Sequence, residues 1–475
     1  MPSINLLDEA RRLIRFNTVT TQSNAECAVY AGQLMQRVGL AVEYQEFRQD
    51  GQLFLNVIGR LGDAAQRPLL LAAHLDTVSA GDPALWTKTG RDPWRAVVRG
   101  DALYGLGSAD DKLDFLCKLM AAAQVDASSL KRPLMLVGTF GEERGLFGAA
   151  RLCQGEFPKP FMALVGEPSQ LQLITRHKGL LVQELILPRR GVYRTESAQP
   201  AYELEVRGVA AHSSAPHLGE NAVTRLLDLM TEAHARVKGL RVLALEGGTA
   251  ANIIPQRCTA LVTCPPARGR LFAARRGVTV RPRRLPAGWH ATLPWQDLVT
   301  YVTRLPDALA PFAKTRDAAF TPPTMTSVVT QVRVLKGALT ATMDVRCLPG
   351  QDLNRVAARC EQLGVKLFGH PGDRWQFRRE RQNPPLDTPS TAPVVRLMRS
   401  AMRAARVPGT IAAKSGCSEA GWYQMVGIPS IVFGPGQAQG NIHQPNERNS
   451  LRQIRRAIAV YRAAIERACG AGARP

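Results

Sequence analysis

Four short apolar runs punctuate the early part of the chain: FLNVIG (54–59), LLLAA (69–73), LMLVGTF (134–140) and MALVGE (162–167). Each is short and almost wholly apolar, the pattern of a strand buried on both faces. Around them the period changes. Residues 4–15 and 24–38 read as amphipathic helices, and KLDFLCKLMAAAQ (112–124) is the clearest helical segment. Alternation of buried strands with helices predicts an α/β fold, a mostly parallel sheet covered by helices.

From about residue 190 the texture shifts. YELEVRG and TATMDVRCL read as strands and NAVTRLLDLMTEAHARV as a helix, with a Pro- and Arg-rich stretch from 265 to 325 between them. The α/β pattern resumes with the helix TAPVVRLMRSAMRAA (391–405), the strand PSIVFG (429–434) and a closing helix near 451–468. The expected organisation is a first domain in two parts, 1–189 and 385–475, interrupted by an inserted α+β domain at 190–384 that carries an extra insertion near 265–335.

Composition narrows the reading. The formal net charge of +22 raises nucleic acid as a partner. Only 11 of the 61 basic residues are Lys, however, and the Arg are spread along the chain, densest in RGRLFAARRGVTVRPRR. A solvated surface that attracts anionic substrates is therefore the preferred reading, with nucleic acid disfavoured. No run of eighteen apolar residues occurs, and MPSINLLDEARRLIRF lacks the parts of a signal peptide, so no membrane association and a cytoplasmic location are expected. The nine cysteines are scattered without a CxxC pair, which fits reduced thiols.

The chemistry lies where the apolar runs end. His74 and Asp76 follow LLLAA, Glu142 and Glu143 follow LMLVGTF, and Glu167 ends MALVGE. Open α/β sheets place their ligands at such strand ends. H-x-D after a strand reads equally as a metal ligand with its orienting carboxylate or as a satisfied core histidine. Asp110, in the Gly-rich turn GLGSADDK, reads as a ligand or as a helix cap, although Asp111 beside it suits the cap better. Adjacent carboxylates repel unless a cation or a proton separates them. Glu142 and Glu143 are therefore harder to explain as structure: one can bind a metal while the other takes a proton from a water whose pKa the cation lowers. Polar strand ends on a solvated rim remain the competing reading for each residue alone, but not for all together.

The order HLDTV, DPW, LYGLGSADDK, GEE, VGEPSQLQ, HKG, AHSSAPHLGENA, GGTAANIIP, DVRCLPG and FGPGQAQGNIHQPNE resembles the dinuclear metallohydrolases that include acetylornithine deacetylase, succinyl-diaminopimelate desuccinylase, aminoacylase and the glutamate carboxypeptidases. LYGLGSAD, GEPSQLQ, AHSS and MDVRCLPG are most similar to the acetylornithine deacetylase branch. The resemblance implies a zinc-exopeptidase-like catalytic domain with an inserted lid and dimerisation domain, and two divalent metal ions, zinc by default with cobalt or manganese as alternatives. It implies that His74 and Glu167 hold one ion, Glu143 and His443 the other, and that Asp110 bridges them. Asp76 would orient His74, Glu142 would be the general base, and His212 would stabilise the oxyanion, supplied across the interface of a homodimer in some relatives. Asn252 and Arg346 would hold the substrate carboxylate or the oxyanion.

The implied activity is hydrolysis of the amide of an N-acyl amino acid, with dipeptidase or carboxypeptidase action as the alternative and a non-catalytic binding module as the rival class. Extra residues from roughly 265 to 335, and the smaller insertion PRRGVYRTESAQPAY, depart from the family pattern and put the convergence of Asn252 with Arg346 in question. Glu419 in SGCSEAGWY stands where many relatives carry Asp, and Leu113 where most carry Gly.

Overall fold

The computed structural model describes residues 4–62, 66–155, 159–237, 239–264 and 277–470. Two compact units emerge: Met1–His177 with Asn383–Pro475, and Lys178–Gln382. The second unit begins at Lys178 rather than near 190 because the strand Gly179–Pro188 pairs along its whole length with Ala338–Cys347, inside the second unit's sheet.

The first unit is built on a nine-stranded sheet whose centre is parallel. Leu134–Thr139, Leu69–His74, Met162–Val165 and Ser430–Val432 lie side by side in that order. The flanks bring in antiparallel pairs, Ala41–Gln49 and Gln52–Leu61 on one side and Leu386–Asp387 against Leu173–His177 on the other, where Ile411–Lys414 also pairs with Leu173–His177, in parallel. The uninterrupted apolar runs are explained by burial on both faces. Leu69, Leu71 and Ala73 belong to one core with the helices Leu6–Arg15, Ala25–Arg37, Lys112–Ala122 and Leu451–Cys469, whereas Leu70 and Ala72 belong to another on the opposite face. Burying five such side chains contributes about 1.5–3 kcal/mol for each Leu, which fixes the strand's register and hence the position of His74 at its end.

In the second unit, the helices Ala222–Arg236, Trp295–Ala313 and Leu353–Phe368 share a core with an eight-stranded sheet. The two sequence insertions meet each other here, because Val192–Thr195 of the smaller pairs antiparallel with Gly288–Ala291 of the larger. The beginning of the larger insertion and of the Arg-rich stretch, 265–276, lies outside the described residues. The remainder of that stretch forms the edge strand Val278–Leu285, which pairs with Gln199–Arg207. There Arg281 and Arg283 bond the carboxylate of Glu203, and Arg207 and Arg257 that of Glu205. This Arg ladder is laced to acidic side chains, the arrangement of a solvated sheet face. Among the described residues no helix is long and apolar enough to cross a membrane.

Candidate metal centre

In the first unit, strand register brings His74 beside Thr139, and the chain leaves the neighbouring strand through Gly141, at φ +66°, into the single helical turn Glu142–Gly145. The left-handed φ is cheap for glycine alone, and it turns the chain sharply enough to set Glu142 just beyond the sheet. Asp76 holds that turn. Its carboxylate accepts the main-chain N–H of Glu142 at 3.1 Å and of Glu143 at 3.2 Å.

The expected role of Asp76 as orienter of His74 is thus only partly its carboxylate's. His74 Nδ1 faces the Asp76 main-chain carbonyl at 3.0 Å, and the carboxylate stands 3.6 Å away. Either contact leaves Nε2 facing the Asp110 carboxylate.

Asp110 is the meeting point. Its Oδ1 lies 3.1 Å from His74 Nε2 and its Oδ2 lies 3.1 Å from His443 Nε2. Glu143 Oε1 is also 3.1 Å from His443 Nε2. Donor atoms of Asp110, Glu143 and His443 lie within 4.8 Å of one another, and so do those of His74, Glu142 and Glu143. His443, held at φ +59°, comes from the second sequence segment of the unit.

Electrostatics follow from burial. Burial alone would raise Asp110, but its contacts with His443 and His74 hold it well below the usual carboxylate range. Burial disfavours the charged form of both histidines; nevertheless Asp110 and Asp76 raise His74 well above its ordinary value, and Glu143 with Asp110 pushes His443 up to about 12. Glu142 is raised well above its usual value by burial and then by the charge of Glu167, with His74 opposing. So many buried carboxylates around two imidazoles are a donor set that calls for cations.

Glu167 lies outside both tight groups, and its Oε2 accepts a hydrogen bond from Lys414 Nζ at 2.8 Å. Lys414 was not legible as a site residue, being 247 positions away in the strand Ile411–Lys414. Glu447 was also missed. It follows His443 in HQPNE, is 1% exposed, and accepts the N–H groups of Ala109 and Asp110.

In the second unit, the residues proposed from sequence gather around Ser213. His212 Nδ1 accepts the Ser214 N–H at 3.1 Å, which leaves the ring's proton on Nε2 when the ring is neutral. The Ser213 N–H donates to the Asn252 carbonyl at 2.9 Å, so the insertions do not keep the Asn252 turn from the His212 loop. Arg346 completes the group, with Nη2 3.5 Å from Ser213 Oγ. Its guanidinium pairs bidentately with Asp344, at 2.8 Å and 2.9 Å, and Arg346 is only 3% exposed. Two positions apart on one strand, the two side chains share a face, and a buried guanidinium requires such a partner.

A sheet that gathers histidines and carboxylates beyond its strand ends offers the donor types that a metal-dependent hydrolase uses. Comparison with known proteins agrees: the model of Peptidase family M20/M25/M40 matches residues 70–467, and the chain belongs to that family of metal-dependent hydrolases acting on amides. Acetylornithine deacetylase of Klebsiella pneumoniae (strain 342) is 32% identical over 245 residues, which are 52% of this chain and 54% of that one, so the chain spans about half the length of this curated relative. Among solved structures, aminoacylhistidine dipeptidase from Vibrio alginolyticus matches with a TM-score of 0.64 at 14% identity, covering 97% of this chain and 96% of that one. An M20 family metallo-carboxypeptidase from Sulfolobus solfataricus matches with a TM-score of 0.61 at 16% identity, covering 98% and 99%. At these identities the structural likenesses carry the fold.

Proposed function

We propose that the chain hydrolyses the amide bond of an N-acyl amino acid with two divalent metal ions, by default zinc, in the manner of acetylornithine deacetylase. The observation that carries this reading is the approach of two imidazole Nε2 atoms to the two oxygens of the single carboxylate of Asp110, each at 3.1 Å. His74 and Glu167 would hold one ion, Glu143 and His443 the other, with Asp110 between them. Glu167 would exchange its contact with Lys414 for that role. Bound ions supply Lewis acidity, polarising the scissile carbonyl and lowering the pKa of water.

The remaining chemistry belongs to side chains. Glu142, buried and raised in pKa, takes a proton from the attacking water and returns it to the departing amine, which is worth about 10²–10⁴-fold in rate. His212, with its Nε2 proton, donates to the developing oxyanion. Asn252 contacts the substrate's oxygens, while Asp344, paired with Arg346, positions the His212 loop by accepting a hydrogen bond from Ser213 Oγ at 2.8 Å. The second unit serves as the lid and dimerisation domain of a cytoplasmic homodimer. A binding module that had lost catalysis would not need a base such as Glu142, grouped with His74 and Glu143.

The test is amine release from a panel of N-acetyl amino acids and dipeptides by the metal-stripped chain, before and after zinc or cobalt is restored. Turnover of the N-acetyl substrates only with metal is expected. Preference for dipeptides would move the assignment to a peptidase, and failure to bind metal would overturn it. Mixing His212→Ala with Glu142→Ala subunits tests the dimer: regained activity means that His212 serves its partner.

A further inference from the structure

Beneath the proposed ligands lies a second charged group that the mechanism does not use. The helix Lys112–Ala122 buries Asp114 and Lys118 at 1% and 0% exposure, and the two are ion-paired with each other. Tyr461, from the closing helix Leu451–Cys469, sets its hydroxyl 2.8 Å from Asp114 Oδ1 and 2.6 Å from the Phe433 carbonyl oxygen. Asp111, fully buried, completes the cluster.

The main chain around Glu167 rests on these charges. A Cβ on Gly166, the residue before Glu167, would stand 2.3 Å from an oxygen of Asp111, 2.3 Å from one of Asp114 and 2.7 Å from Lys118 Nζ. All three groups therefore converge on one backbone position that admits no side chain. A Cβ on Gly434 would meet the Glu167 carbonyl oxygen at 2.5 Å and Asp114 Oδ1 at 3.1 Å. Asp114 thus abuts Gly166 and Gly434, and Gly434 abuts Glu167, while Tyr461 ties the same carboxylate to Phe433, next to Gly434. The whole assembly lies within the first unit.

Stability alone does not call for charges here. Apolar residues of similar volume commonly replace a buried ion pair at no loss, since the desolvation of two charges is avoided. What a paired and hydrogen-bonded cluster adds is a fixed geometry. We propose that Asp114, Lys118 and Tyr461 are positioning residues for Glu167, a buried strut that fixes the backbone from which its carboxylate reaches a metal ion. The inference rests on the reading of Glu167 as a ligand.

The test uses the full chain with both charges removed, Asp114→Leu with Lys118→Met, and separately the milder Tyr461→Phe. Three quantities are measured: zinc affinity by competition with a chromophoric chelator, the visible spectrum of the cobalt-substituted protein, and the melting temperature without metal. The expected result is a double variant that melts no lower than the parent but binds zinc about 10–100-fold more weakly, the usual effect of losing support around a ligand. Its cobalt bands shift, and Tyr461→Phe changes in the same sense by less. Should melting fall while zinc affinity and the cobalt spectrum stay at parental values in both variants, the strut is only structural and the proposal is overturned; should the double variant fail to fold, Tyr461→Phe alone decides by the same criterion. Glu167→Ala separates the two levels. If it too binds zinc as the parent does, the reading of Glu167 as a ligand fails; if it weakens binding while the strut variants do not, only the strut fails.

Discussion

Glu447 Oε1 accepts the main-chain N–H of Asp110 at 3.1 Å, across 337 positions of sequence. The same oxygen accepts the Ala109 N–H at 2.8 Å, so one buried carboxylate clamps the loop that presents Asp110. Burial, and after it the charge of Asp110, pushes Glu447 up to about 8. Glu447→Ala leaves two buried donors unpaired, at about 1–3 kcal/mol each, and is expected to weaken metal binding about 10–100-fold. Glu447→Gln keeps an acceptor oxygen and should recover most of that loss. Chelator competition on both variants checks the pair.

Glu142 sits in one of the tight donor groups with His74 and Glu143, yet a base must be distinguished from a ligand. Glu142→Ala is expected to lower kcat by about 10²–10⁴-fold while the protein still binds two equivalents of metal. Kinetics with metal counting on the same sample decides; loss of one equivalent would make Glu142 a ligand.

Asp344 and Arg346 form a buried pair within the second unit. Asp344→Ala removes the guanidinium's buried carboxylate partner and is expected to destabilise the fold by about 3–5 kcal/mol, whereas Asp344→Leu with Arg346→Met recovers most of the stability. Denaturant titration measures this. In the double variant kcat should fall more than KM rises, because the loop that carries His212 loses its anchor. A rise in KM alone would place Arg346 at the substrate carboxylate.

Much of the first unit was legible because strand burial on both faces writes itself as apolar runs, and because ligand types recur where those runs end. His74, Asp110, Glu143 and His443 come together as their order along the chain suggested. What the sequence did not reveal depends on contacts between distant segments. Lys414 reaches Glu167, and Glu447 reaches Asp110, through backbone geometry that no local period encodes. The pairing of Arg346 was hidden for a related reason: DVRCLPG places Asp344 two residues away, and only the strand conformation turns that spacing into a bidentate pair.

Glu419 carries a pH dependence. It is 1% exposed, and burial pushes it up to about 7, with His74 and Thr139 opposing and Asp76 and Glu167 adding to the rise. A carboxyl whose folded pKa exceeds its ordinary value of 4.5 binds more protons folded than unfolded, so stability falls as pH rises from about 4.5 to 7 and the full cost persists above that. The displacement corresponds to on the order of 3 kcal/mol. Glu419→Gln should therefore melt higher than the parent above pH 7, both metal-free, with the gap closing towards pH 4.5. Melting curves across that range check it, and a constant gap would refute it.

The stretch from 277 to 335 contributes to the interior of the second unit. Its helix Trp295–Ala313 supplies Trp295, Leu298, Tyr301, Leu305 and Leu309 to the core of the second unit. Those side chains are masonry, not ornament: deleting the segment would strip the interior of the unit and leave apolar sheet facing water. Its Gly288–Ala291 strand is in turn tied to the smaller insertion at Val192–Thr195. The two stretches are thus coupled, and shortening one by engineering or descent would have to be answered in the other and in the residues that pack beneath them.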